Sequence, residues 1–549
     1  MTGRLRALAL RCGAWPARPV VWGLAALFSA WVVLDVLVLR VSGGLALSTY
    51  DAMVRARLVA AAPDPRIVIV DIDEASLARM GREFGRWPWP RDTLATVLDY
   101  LERQQPAAIA WDMVFSDADA LSPGGDAAFD AAVRRSAHSH FSVVRLPPAN
   151  DGASQITRAA LPGLWAPAAA GVAGAPPATV ALIPPVLPAV AAARLGYNNG
   201  YVDRDGVLRR YRHAERLADG SVIRSLPLSV LNAIDPVAAS AFQQRAADHL
   251  GSLDELIAWR HQAHVYPRVS FADLFAVADG GQAPAALPAF AGKVVLIGAS
   301  APSLHDVHPT PMSAMQDGVE TMATVIDNAL NGRRIGELPR WLQAALAIAL
   351  CLGIAWWARR RSVASLAPAL VTLPAALLAL SYLSLNAGPL FLDLNLAAGL
   401  ALAFLALLRL WNTWRRNHWC TAPAGAAPLA VWPWLRDGPW VDAALDRLID
   451  AVERHAPQCR LMVVDANYLW PARLRWPELA RCAAIVGSIE ALQAARPALA
   501  RAIGPLARRC GEPVPAGAAP GREQLAATAF RAWSALQDAD DPRSERASP

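Results

Sequence analysis

Lysine is almost missing from this chain: among 52 Lys and Arg residues in 549 positions, Lys293 is the only lysine. Nearly all positive charge is therefore arginine, scattered among Ala, Gly and Pro. A formal charge of +6 and a pI near 9.2 gather into no basic patch, which argues against nucleic acid as a partner. Cysteine is scarce as well. Cys12, Cys351, Cys420, Cys459, Cys482 and Cys510 leave residues 41–340 without any, so that stretch carries no disulfide. No CxxC pair or Cys/His ligand spacing occurs among them, so a structural zinc site or paired redox motif finds no support. Reduced thiols, no metal and no cofactor are expected. What the chain has in excess is apolar residues: a hydrophobic fraction of 54% and a mean hydropathy of +0.26 are high for a soluble protein and direct attention to membrane segments.

From Val20 to Leu39 the chain is apolar except for Asp35, and ~20 such residues suffice for a helix to cross a bilayer. Arg4, Arg6, Arg11 and Arg18 precede the run, as in a cleaved signal peptide, but it exceeds the usual apolar region of about 7–15 residues, so an anchor is the better reading. Asp35 is an intramembrane carboxylate, a functional candidate by type, placed where it would reach headgroups or water. Three more runs, 341–357, 363–385 and 390–411, contain almost no charge. Arginine is retained on the cytoplasmic side, so the N-terminal arginines, Arg359, Arg360, Arg361 and the pair Arg415, Arg416 all place one threading. It gives a cytoplasmic N-terminus at 1–19, a first span at 20–40, residues 41–340 outside, three returning spans and a cytoplasmic region at 412–549, in a bacterial inner membrane.

Between the first two spans, short β-branched runs alternate with helix-period segments, the habit of an α/β domain around a buried sheet. Strands are expected at Arg66–Asp73, Ala107–Phe115, Phe141–Leu146 and Lys293–Gly298, with a helix from Glu74 capped by Asp73, one from Arg91 to before Pro106, and one opening near Gly318. Residues 147–188, rich in Ala and Pro, read as a loop or insertion. Ligands of such sheets sit beyond the carboxyl ends of the strands, where Asp71, Asp73 and Asp112 fall. Three carboxylates there suit a hard cation or a cationic ligand, or cap helices, the commoner use. In Trp87-Pro88-Trp89-Pro90-Arg91 the prolines stiffen two tryptophans. Such aromatics serve recognition, or cover a core corner while Arg91 pairs with a carboxylate. His305, Asp306 and His308 suggest a metal, but HDxxH without a further fixed ligand is a weak signal.

Taken in order, PDPRIVIVDIDEASL at 63–77, RWPWPR at 86–91, AIAWDMVF at 108–115, GYVDRDGVLRR at 200–210, SLPLSVL at 225–231, and GKVVLIGASAPSLHDVHPTPM with GVETMATVIDNALNGR within 292–333 resemble the type-two CHASE domain. This extracellular sensory module is associated with cyclases and histidine kinases. The resemblance covers about residues 45–335, and three helices after the domain are the arrangement usual for the family. It implies an extracytoplasmic sensor of undefined stimulus attached to a cytoplasmic output. Asp71, Asp73, Trp87, Trp89, Arg91, Asp112, Asp306, Thr310 and Glu320 become candidate ligand-binding residues, without settled chemistry.

In the tail, 412–440 reads as a Trp/Pro/Ala-rich connector, Val441–His455 as an amphipathic helix and Arg460–Asp465 as a strand. Helices are expected within 477–508 and 522–537, a Gly/Pro loop at 511–521 and a disordered end from 538. The diguanylate cyclase hallmark Gly-Gly-Asp-Glu-Phe is absent, no phosphoacceptor helix with nucleotide boxes follows His455, and no Gly-rich loop with a downstream lysine serves a kinase. Asp465 stands alone at a strand end. The expected whole is an α/β extracytoplasmic domain, four transmembrane α-helices and a small cytoplasmic α/β domain. It reads as a non-enzymatic sensory receptor or scaffold with an unknown periplasmic ligand or protein, a cytoplasmic signalling partner, lipid around it and scope for a homo-oligomer. The alternative is a divergent signalling enzyme, a nucleotide cyclase or kinase with unrecognised catalytic motifs; a third reading is a structural subunit of an envelope complex.

Overall fold

The computed structural model describes residues 11–538 except 40, 120–121, 167–178, 249–251, 263, 283–286, 361–365, 389, 421–427, 464–480 and 519. Arg4, Arg6, Arg361, Asp465 and the polar end beyond 538 lie outside the described residues. The chain divides into two units, one of residues 43–338 with 381–393, the other of 1–42, 339–380 and 394–549.

In the first unit, strands β1 (Ile67–Ile72), β2 (Ala108–Val114), β3 (Ser139–Arg145), β4 (Arg194–Tyr197), β8 (Arg268–Ser270) and β9 (Val294–Ala299) form a parallel sheet. Its order is β4–β3–β2–β9–β1–β8. The period of two along each strand sorts side chains between two cores. Val68, Val70, Ile72, Ile109, Trp111, Val295 and Ile297 face one way, towards α2 (Glu74–Phe84), α3 (Arg91–Arg103) and α5 (Phe271–Ala278). Ile67, Ile69, Ala108, Ala110, Val294 and Leu296 face the other, towards α1 (Ser42–Arg55), α4 (Leu226–Ile234) and α6 (Gly318–Leu330). Asp73 caps α2, its Oδ1 accepting from Ser76 N at 2.7 Å. A second, antiparallel sheet of β5 (Arg210–Arg216), β6 (Val222–Arg224) and β7 (Ser252–Leu256), in the order β6–β5–β7, stands beside it and was not legible in the sequence. Residues 147–188 are more than an insertion. Where described, they include a two-residue strand at Leu182–Ile183 and place Leu161, Leu164, Trp165 and Val180 in the core.

Among the described residues four helices are long and apolar enough to cross a membrane: Ala17–Leu39, Arg340–Ala358, Ala369–Ala387 and Asn395–Trp419. The last runs past the boundary expected at 411. Asp35, instead of reaching headgroups or water, is buried at 1% exposure and accepts from Val41 N at 2.8 Å.

The second unit ends in a small domain that corrects the reading of the tail. Residues 428–435, expected as connector, form the central strand β10 (Pro428–Leu435). β11 (Arg460–Val463), β12 (Cys482–Ser488) and β13 (Val514–Ala518) join it in an antiparallel sheet in the order β11–β12–β10–β13, and the two-residue strand Arg509–Cys510 also pairs with β10, at Trp434 and Leu435. β12 falls where helix was expected and β13 where a loop was. With α7 (Asp442–His455), α8 (Ile489–Ile503) and α9 (Arg522–Asp538), the order of these elements among the described residues is the split βαβ arrangement followed by a further helix. Ala430, Trp432 and Trp434 face the core shared with α7 and α8, while Leu429, Val431 and Leu435 face α9. Pro433 in a central strand disguised it, since proline donates no ladder bond. Trp432 is 1% exposed, so Trp432→Ala is expected to cost about 3–5 kcal/mol. In limited proteolysis the tail of that variant is cut early while residues 43–338 stay resistant.

Candidate functional site

The strand ends hold the charge that the faces of the sheet exclude. Asp71, one residue from the end of β1, is 5% exposed, and its Oδ2 accepts from Arg268 Nη1 at 2.6 Å and Ser300 Oγ at 2.8 Å. Arg268, from β8, also reaches Glu320 Oε2 at 2.6 Å and Asp317 Oδ2 at 3.4 Å. Glu320, in the first turn of α6 and 2% exposed, accepts from Val265 N at 3.0 Å through its other oxygen. One guanidinium thus bridges two buried carboxylates from different elements, and its fork geometry suits that task.

Asp112, on β2, has no such cation. Asn198 Nδ2 donates to its Oδ1 at 3.0 Å, while desolvation and then the Asp306 carboxylate push its pKa up to about 7. Asp306 is itself raised by desolvation and by Asp317, against the opposing pull of His308; His308 Nε2 lies 3.7 Å from Asp306 Oδ1. Two glycines permit this crowding. A Cβ at Gly298 would sit 2.8 Å from Val319 Cγ2 and 3.4 Å from Asp112 Cβ, and one at Gly318 would run into the Asp306 carboxylate.

Asp71, Asp112, Asp306 and Glu320 are therefore linked through Arg268, Gly298 and Asp317 at one end of the sheet. The other candidates do different work. Asp73 caps α2 and accepts from Ser270 Oγ at 3.1 Å. Thr310 closes its own turn, accepting from Met312 N and Ser313 N at 3.3 and 3.1 Å. Trp87 and Trp89 flank a cis Trp87–Pro88 bond and meet edge to face at 4.8 Å, with Trp89 stacked on Phe271 at 5.3 Å. Arg91 pairs with Asp126, donates to Asp117 O, and lies 5.5 Å from the Phe115 ring centre. That string builds a packed corner. Among the described residues no group of three His, Cys, Asp or Glu is arranged to hold a metal ion.

Sequence reasoning missed Arg268, Asn198, Ser300 and Asp317, because no local pattern announces partners brought in from distant strands. It also missed Arg209. This arginine is 1% exposed and meets both oxygens of Asp51 at 2.7 Å, Asp205 Oδ2 at 2.7 Å and Asp203 Oδ2 at 3.0 Å. The acid–base alternation in VDRDGVLRR was the available signal. Asp51 lies on α1, and from the same helix Arg55 Nη1 donates to Pro311 O at 2.9 Å, in the loop that carries Asp306.

A family model described as the CHASE2 domain matches residues 25–357. No curated protein and no solved structure matches the chain.

The raised pKa of Asp112 sets the sign of a pH effect. The folded state holds a proton that the unfolded chain releases at its ordinary value near 3.8, so this group's contribution to stability is lost as pH rises through about 7. Asp112→Asn keeps an acceptor for Asn198 and removes the titration. Its thermal midpoint is expected to exceed the parent's at pH 8 and to approach it at pH 5, as read by thermal unfolding in mild detergent.

Proposed function

Because the chain belongs to the CHASE2 domain family, a sensory extracellular module, we propose that it is a bacterial inner-membrane sensory receptor or scaffold. In this reading residues 41–340 occupy the periplasm and bind a ligand or partner, four helices cross the bilayer, and both termini are cytoplasmic. The arginines at 11, 18, 359, 360, 415 and 416 support that threading. The strand-end group of Asp71, Asp112, Asp306, Asp317 and Glu320 carries more acid than Arg268 neutralises, which favours a ligand bearing positive charge.

The observation that carries the proposal is the double tether of α1. This helix begins three residues after the first span and is held by Arg209 through Asp51 and by the Asp306 loop through Arg55. A ligand that binds two arrangements of that loop with different free energies thereby acts on the helix leading into the membrane; one with equal affinity for both shifts nothing. The tail, a split βαβ domain, acts by binding a cytoplasmic signalling partner and not by catalysis.

A membrane-impermeant maleimide tests the threading. Val237→Cys, at a position 80% exposed, is expected to react in intact spheroplasts, and the exposed native Cys510 only after lysis. Labelling of both in intact spheroplasts overturns the topology. For the tether, Arg55→Ala is expected to lose about 1 kcal/mol at most from one hydrogen bond, yet to speed amide hydrogen exchange across 306–317; unchanged exchange there removes α1 from the coupling. Turnover of labelled ATP or GTP by the purified chain with magnesium would overturn the non-enzymatic reading of the tail.

A further inference from the structure

We propose that the turn at Leu58–Val59 is a membrane-contact rim of the sensor body, whose partner is the interfacial zone of the lipid leaflet facing it. Leu58 and Val59 are 72% and 67% exposed. The run Leu58-Val59-Ala60-Ala61-Ala62 carries no charge between Arg57 and Asp64. Single exposed apolar residues are ordinary; the tethers of this run decide what it meets. Tyr382 Oη donates to Ala56 O at 2.5 Å, and Leu58 N donates to Asn386 Oδ1 at 2.8 Å. Both partners lie in the last turns of Ala369–Ala387, one of the four apolar helices long enough to cross a membrane. Leu383 on that helix and Leu390 just beyond its end are exposed at 55% and 42%. At its other end the run returns to the body, where Arg333 Nη1 donates to Ala62 O at 3.1 Å and to Asp327 Oδ1 at 2.9 Å.

Depth follows from the backbone. Residues 57–64 form neither helix nor strand, so most of their peptide groups need water or headgroups, and the hydrocarbon core is closed to them. The side chains of Leu58 and Val59 enter the boundary region while the chain stays at headgroup level. The inference rests on the reading that helix 369–387 spans the bilayer.

The test uses the full chain with Cys12 and Cys510 changed to Ser, reconstituted in phosphatidylcholine–phosphatidylglycerol vesicles. An environment-sensitive NBD label is placed in turn at Leu58→Cys, Val59→Cys, Leu380→Cys within the span and Val237→Cys on the body. Labels at 58 and 59 are expected to emit at shorter wavelength than the label at 237, to be shielded from aqueous iodide and to be quenched by lipids carrying a nitroxide at the headgroup or shallow chain. Iodide quenching at 58 and 59 equal to that at 237, with 380 in lipid, overturns the rim alone. An aqueous label at 380 overturns the span and the rim with it. Labels at 58 and 59 shielded from both iodide and lipid nitroxide mean that protein covers the turn, which also overturns the proposal.

Discussion

Burial of the parallel sheet on both faces is the constraint from which the rest of the sensor body follows. β1, β9 and β2 alternate between two hydrophobic cores, so neither face has room for a charge. Charge is tolerated only where the strands stop, and there the loops that leave them must supply its partners. Asp71, one residue from the end of β1, lies beside Gly298 of β9, and the same edge receives Arg268 from β8 and Glu320 from α6. Elements far apart in the chain thus converge because each ends at the same boundary of the core.

At that boundary two solutions to the cost of a desolvated carboxylate stand side by side. Asp71 and Glu320 share one guanidinium, and removing it would leave two charges desolvated, a loss of about 3–5 kcal/mol for a broken buried pair. Asp112 has only the Asn198 amide and a repelling neighbour in Asp306, so it meets the cost by a pKa pushed up to about 7, holding its proton more tightly than an ordinary carboxyl. The first arrangement is rigid. The second is responsive, since proton loss, a bound cation or a movement of the Asp306 loop each change the charge that Asp112 faces. Arg55 ties that loop to α1, which makes the responsive half of the site the half joined to the helix that follows the first apolar helix.

How far the sequence disclosed this depended on the range of the interaction. β1, β2, β9, the Asp73 cap and the opening of α6 rest on local pattern and lie within about a residue of where Ile67–Ile72, Ala108–Val114, Val294–Ala299 and Gly318 place them. Asp71 and Asp112 were legible as strand-end acids, but Arg268 was not, because β8 has three residues and gives no periodic signal. The tail was misread for a related reason. Pro428 and Pro433 argue against a strand wherever they occur, and the pairing of β10 with β12 from Leu429↔Ser488 to Leu435↔Cys482, together with β13 on its other edge, outweighs the missing donors. Trp432 and Trp434, which looked like linker aromatics, are core residues of a sheet whose last strand comes far later in the chain, at Val514–Ala518.

The near absence of lysine then acquires a structural meaning. Arg209 meets Asp51 through both oxygens while reaching Asp205 and Asp203, and Arg210 does the same for Glu337 while reaching Asp203. At the end of the fourth apolar helix, Arg415 meets Asp450 at 2.6 Å and also Glu453, and Arg416 meets Asp446 at 2.9 Å, fastening that helix to α7 of the tail domain. Each junction asks one cation to hold several acids in fixed directions, which a planar fork of five donors does and a single ammonium on a flexible stem does not. Arginine at these points makes both helix-to-domain junctions stiff. In the receptor reading proposed above, that stiffness matters: a change of a few kcal/mol at the strand ends reaches the apolar helices only if the tethers do not absorb it.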